Sequence, residues 1–370
     1  METTSKHLKI VYLILLLIGA TGCSNNDDLE NEPDGEKNVY LKMEQSSIQK
    51  AVDPVPDDTE VVFNKGVIYF VTTDGQITKQ MTITSDVSDD NNINMTDIKA
   101  GYEVKNIAAH TKYVHIVGNH DGLPASPKNI SVVTSTNVTV QMQKDDLGGI
   151  SKATLYNSSA SELILESGNK YKATVELMPH ASRIELADVT AEGDITEFQL
   201  DGIFVNNYFM QVQVDRATSQ ADLIDNASDP DKYIGDQDPY PSTLPLYDYS
   251  TSGIGIYNNK VVKPDAGNKV WAYNVLAGNP APRIILRLSG VKVNGVLLNG
   301  DRFITIKGFK DDATGQPITV FEPGKIYTIA AGKLKFNEND LSAIPEVGTI
   351  DVEVKVTLIK WKTKPVTPEI

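Results

Sequence analysis

Cysteine is almost missing from this sequence: there is one in 370 residues, Cys23. That excludes a disulfide framework and any metal site built from several thiolates. Tryptophan occurs only twice. Positive charge is in deficit, with 34 Lys and Arg against 49 Asp and Glu and a net charge of −15 at pH 7. Such a chain repels phosphate backbones and anionic head groups, and no basic stretch is dense enough to overcome that, so nucleic acid is excluded as a partner. Helical periodicity is missing as well, apart from the extreme N-terminus. What remains is a globular composition, 40% hydrophobic and 22% charged, rich in Tyr, Val, Ile and Thr, which favours strands. The length gives a prior of two domains at roughly 150 residues each.

The N-terminus reads as an address. Lys6, His7 and Lys9 precede an uncharged apolar run, Ile10–Ala20. That run is shorter than the about 20 residues a membrane-spanning helix needs and matches the apolar core of a secretory signal. Ala20-Thr21-Gly22 then leads into the lone Cys23, the arrangement of a lipobox, with Ala20 in place of the usual Leu. Residues 1–22 are therefore expected to be a signal peptide, and Cys23 is expected to carry a diacylglycerol that holds the precursor to a membrane. Ser24–Glu36 is polar and acidic with one apolar side chain, Leu29, and reads as a tether.

Past residue 38 short alternating runs are separated by turn residues, the all-β pattern. Ile77, Lys79, Met81 and Ile83 share a face, as do Tyr171, Ala173, Val175 and Leu177, and Ile284, Leu286 and Leu288. Val67–Val71 and Ile203–Val205 are continuous apolar runs suited to strands buried on both faces. Asp74-Gly75, Asp121-Gly122, Asn294-Gly295 and Asn299-Gly300 punctuate them. A Glu-x-Gly-x-x-Tyr sequence occurs at Glu166–Tyr171 and again at Glu322–Tyr327, one domain length apart, each time ahead of an apolar strand. Two β-sandwiches joined near Leu177–Ile184 are expected, with an N-terminal domain over 51–178 and a C-terminal domain over 179–370.

Taken in order, the lipid cysteine Cys23, the acidic tether, the early strand Asn38–Gln45 followed by Gln49-Lys50-Ala51-Val52, the mid-chain run Gly168–Leu186 and the terminal Val352–Trp361 resemble the fimbrillin family, subunits of the type V pili of Gram-negative anaerobes. The resemblance implies two transthyretin-like β-sandwich domains and export to the outer membrane as a lipoprotein precursor. It also implies removal of residues 23–50, tether and first strand together, by a trypsin-like protease. The emptied groove would then take the C-terminal strand of an identical or related subunit, building an extracellular pilus that supports adhesion. Enzymes that process this family commonly cut after Arg; the residue here is Lys50, so the expected cut is between Lys50 and Ala51.

The residues fit that mechanism physically. Val39, Leu41 and Met43 share one face of the candidate first strand, and the proline-rich acidic stretch Asp53–Asp58 keeps the Lys50–Ala51 bond accessible. Val352, Val354, Val356 and Leu358 form one apolar face of the candidate donor strand, and burying them yields roughly 6–12 kcal/mol before ordering costs. The face changes after Leu358, since Ile359 and Trp361 have the other parity, which predicts a bulge or bend within a strand continuing through Trp361.

No catalytic motif is present: no nucleophile elbow, no H-E-x-x-H, no phosphate loop, no dinucleotide fingerprint. His110, His115 and His120 are spaced by five, which puts successive side chains on opposite faces of a strand and does not build a metal site. The aspartates in Asn226–Pro245 lack a calcium-loop pattern and read as a solvated loop. A structural subunit without cofactor or metal is therefore expected. The alternative is a surface lipoprotein that binds glycan or host protein without polymerising, for which Tyr233, Tyr240, Tyr247 and Tyr249 are the candidate platform.

Overall fold

The computed structural model describes residues 35–45, 60–85, 89, 91–139, 150–157, 159–225, 246–265, 269–278 and 280–363. The chain is all-β, as its alternation requires, and its strands gather into two large curled sheets. The first sheet uses residues up to Pro179. Its path runs Asn92–Asn94, Ile77–Thr84, Gly66–Val71, Tyr113–Gly118, Leu155–Asn157, Lys170–Pro179, Glu36–Gln45 and Tyr102–Ala108. The second sheet starts at Ala181. At its centre lie Trp271–Leu276, Ala181–Leu186, Lys325–Ile329, Thr349–Leu358, Arg302–Asp311, Arg283–Val293 and Ile195–Asn206, in that order.

Local chemistry sets the turns. The hairpin between Gly66–Val71 and Ile77–Thr84 closes through the Gln76 amide donating to Thr72 Oγ1 at 2.9 Å, with Gly75 at φ 85°. Asn294 and Gly295 both take positive φ, 50° and 78°, the geometry of a two-residue hairpin, and Val293 pairs with Val296 across it. Ile203, Phe204 and Val205 are buried, as the unbroken apolar run requires. Two short helices, Met95–Ala100 and Ile130–Thr134, depart from the strand reading; each is started by an Asn side chain, Asn94 or Asn129, that accepts a backbone N–H two residues on.

The repeated Glu-x-Gly-x-x-Tyr marks equivalent places. Gly168 and Gly324 both have positive φ, 56° and 73°, and each leads into a strand. Lys170–Pro179 runs parallel to Glu36–Gln45, the first strand of its sheet, and Lys325–Ile329 runs parallel to Ala181–Leu186, the first strand of the other.

One residue, His180, separates Lys170–Pro179 from Ala181–Leu186. It is buried, and its Nε2 lies 2.8 Å from the Val214 carbonyl. Nearby, Asn137–Thr139 pairs antiparallel with Gln211–Gln213, so the first half of the chain is laddered to the second. The cores interlock at this junction: Tyr69, Val117 and Tyr156 pack in one cluster with Ile184 and Val205, whereas Ala181, Ile326 and Ile359 belong to the cluster of Val39 and Leu41.

Candidate functional site

The first strand, Glu36–Gln45, is an interior strand. On one edge it runs parallel to Lys170–Pro179, from Asn38 opposite Lys170 to Gln45 opposite Leu177. On the other it runs antiparallel to Tyr102–Ala108, with a bulge between Lys37 and Val39. The ladder with the first strand is the one ladder that Tyr102–Ala108 makes among the described residues. Taking Glu36–Gln45 away therefore exposes two strand edges at once and leaves a slot between them.

That slot has four inward positions. Val39 and Leu41 are fully buried, Met43 is 2% exposed, and all three share a core cluster with Val104, Ile107, Ala173 and Val175. Burying three such side chains contributes roughly 5–9 kcal/mol gross. The outward face carries Tyr40, 45% exposed, and the Lys42–Glu44 ion pair. Sequence reading missed the fourth inward residue, Lys37, which is 6% exposed. Its Nζ donates to the Thr111 carbonyl at 2.9 Å and sits 4.7 Å from the centroid of the Tyr171 ring. Its parity, shared with Val39, Leu41 and Met43, was the available signal.

The terminal strand, Thr349–Leu358, lies in this chain's own second sheet. Val352 is 3% exposed, Val354 is fully buried, and Val356 is half-buried against the same core. Leu358 pairs through its backbone with Lys325. The face read as a donor therefore completes its own sheet here, because an alternating apolar face fits an internal slot as well as an external one. Its two ladders are offset. Residues from Thr349 to Val354 pair in parallel with Thr305–Asp311, and residues from Lys355 to Leu358 pair antiparallel with Lys325–Thr328.

The predicted change of face is a break between strands. Ile359 is buried against the first-sheet core, its amide donating to the Gly324 carbonyl at 2.7 Å, and the strand Lys360–Thr363 then runs parallel to Glu60–Phe63, with Trp361 opposite Val61. Cys23, Lys50, Ala51, Tyr233 and Tyr240 lie outside the described residues.

The other candidates are packed, not presented. Tyr247 stacks on Phe204 with centroids 5.8 Å apart, and Tyr249 lies 6.3 Å from the same ring with the Arg287 guanidinium 5.0 Å from its centroid. His115 is buried, its Nδ1 2.9 Å from the Tyr156 hydroxyl, and burial holds its pKa down to about 4. Burial, followed by the nearby Arg216 charge, holds His180 down to about 3. His120 Nε2 lies 3.1 Å from the Asn137 carbonyl, and His110 is exposed. No group of three or more His, Cys, Asp and Glu among the described residues could hold a metal.

No protein-family profile and no curated protein matches the chain. Its fold is nonetheless found among solved structures. A candidate cell adhesion protein from Bacteroides eggerthii superposes with a TM-score of 0.52 at 14% identity, over 90% of this chain and 99% of that one. A second, from Parabacteroides distasonis, gives 0.54 at 10% identity, over 91% and 99%. A fimbrilin from Porphyromonas gingivalis gives 0.53 at 11% identity, over 88% and 98%. At these identities the likeness is one of fold: a β-sandwich architecture shared along nearly the full length of each.

Proposed function

We propose that this chain is a structural subunit of a cell-surface pilus, assembled when Glu36–Gln45 is removed and a strand from the next subunit takes its place. The observation that carries this reading is the position of the first strand. It lies near the N-terminus, yet it occupies an interior slot with an edge to bond on each side. Its loss leaves three apolar pockets and two unpaired edges, a surface that β-strand addition satisfies. The likeness in fold to a fimbrilin and to candidate adhesion proteins supports the same reading. In this reading Cys23 holds the precursor to the outer membrane, and a trypsin-like enzyme cuts between Lys50 and Ala51.

The donor is the terminal segment carrying Val356 and Leu358. From Lys355 onward the strand is laddered to Lys325–Thr328, on the edge opposite the one that holds Thr349–Val354. The segment beyond Val354 can therefore swing out while the residues before it stay in their own sheet. Lys360–Thr363, a four-residue ladder on Glu60–Phe63, goes with it.

The test is N-terminal sequencing of subunits recovered from surface fibres, beside a chain truncated after Val354. Fibres whose subunits begin near Ala51, and a truncated chain that folds but does not polymerise, are expected. Fibres built from subunits that retain Glu36–Gln45 would overturn the reading.

A further inference from the structure

The end of the slot occupied by Lys37 differs from the rest. Its walls offer a buried carbonyl, that of Thr111, and the face of Tyr171. Thr111 is fully buried, with its hydroxyl 2.7 Å from that of Thr78. Such a pocket suits a cation, and a strand that replaces the first one without a cation strips the Thr111 carbonyl of the donor it has now.

We propose, resting on the donor-strand reading above, that the groove selects its incoming strand through this cation pocket, and that the strand enters in the opposite sense to the one it replaces, with Lys360 in the place of Lys37. The pattern of the tail sets the direction. Drawn out as one regular strand across the present break at Ile359, the tail sets Val354, Val356 and Leu358 at the parity of Lys360, so the face reads apolar, apolar, apolar, Lys, whereas the first strand reads Lys37, Val39, Leu41, Met43. Laid in reverse, Lys360, Leu358 and Val356 fall on the pockets of Lys37, Val39 and Leu41. Laid in the same sense, Val354, Val356 and Leu358 reach the pockets of Val39, Leu41 and Met43 only with Val352 in the cation pocket, which leaves its carbonyl unpaired.

Backbone pairing favours the same direction. The first strand lies parallel to Lys170–Pro179 along its longer ladder. A reversed strand makes that ladder antiparallel, the more stable form per residue, while the shorter ladder with Tyr102–Ala108 becomes parallel. Because the ladder that becomes antiparallel is the longer of the two, reversal is favoured on balance.

Direction can be read with cysteine pairs on the outward face, leaving every pocket intact. Lys172 stands opposite Tyr40 and Thr174 opposite Lys42, and both are exposed. In full-length chains assembled into fibres, a reversed strand brings Thr357→Cys to Lys172→Cys and Lys355→Cys to Thr174→Cys. A strand in the original sense brings Lys355→Cys to Lys172→Cys, and that cross-link, or no cross-link in fibres that form, overturns the proposal. For the pocket itself, Lys360→Met is expected to slow assembly by roughly tenfold while Lys360→Arg assembles like the parent chain. A Lys360→Met chain that assembles at the parent rate refutes the cation requirement. Failure of the parent chain to polymerise after loss of its N-terminal segment would instead strike the donor-strand reading beneath it.

Discussion

Val354 pairs with Asp311 on one edge of the terminal strand, and Lys355, the next residue, pairs with Thr328 on the other. The strand thus passes from one neighbour to another between two consecutive residues. What lies before that point is anchored in the second core; what lies after it is held along the opposite edge.

Two truncations should behave differently for this reason. A chain ending at Val354 should fold, with a modestly lowered melting temperature, and fail to polymerise. A chain ending before Thr349 also loses Val352 and Val354 from the core, roughly 3–6 kcal/mol of apolar burial, and should be unfolded or molten. Thermal melting and electron microscopy of both decide it; equal behaviour would mean the offset of the ladders has no mechanical meaning.

Leu41→Ala should affect the precursor and spare the fibre. The side chain is fully buried, so its truncation is expected to cost the precursor about 2–5 kcal/mol. If the first strand is absent from assembled subunits, fibres grown from the variant should melt as the parent fibres do. A matching loss in the fibre would place the first strand inside it.

Processing offers two substitutions. Lys50→Ala should block the cut and leave surface protein whose sequence begins at Cys23. Cys23→Ala should abolish acyl labelling and accumulate uncut precursor. Undiminished label in the second variant would remove the lipid from the account.

Stability should fall in mild acid. His115 and His180 are held neutral by burial, at about 4 and about 3 against an ordinary 6.5. Below pH 6.5 the unfolded chain takes up protons that the folded chain refuses, so the stabilisation is complete above that pH. It drains away as the pH falls toward 4, by a few kcal/mol from each imidazole. Denaturant unfolding at pH 7.5, 6, 5 and 4 measures the slope, and His180→Gln should flatten it. An unchanged slope in that variant would assign the acid sensitivity to other groups.

Much of the architecture was written in local pattern. Asn294-Gly295 announced its hairpin, and the glycines at 168 and 324 announced two equivalent strands, because turn chemistry is local. Val39, Leu41 and Met43 announced a buried face for the same reason. Two things were not local. The alternation of Val352 and Val354 states that a face is buried but not in which sheet, since pairing with Thr305–Asp311 is a contact between distant segments. Lys37 reads as a surface residue by type, and the Thr111 carbonyl and Tyr171 ring that receive it in the interior are both remote in sequence.

The single residue between the two sheets has a mechanical consequence. Lys170–Pro179 borders the slot in which a neighbour would be held, one step through His180 leads into Ala181–Leu186, and the departing tail would stay rooted in the same second sheet by the ladder of Thr349–Val354 on Thr305–Asp311. Tension along a fibre would therefore cross from one sheet to the other through a single residue, with no loose linker to stretch between them. The load would fall on rows of ladder hydrogen bonds in shear, where many must fail together, and such a thread should be stiff at low force and long-lived under flow.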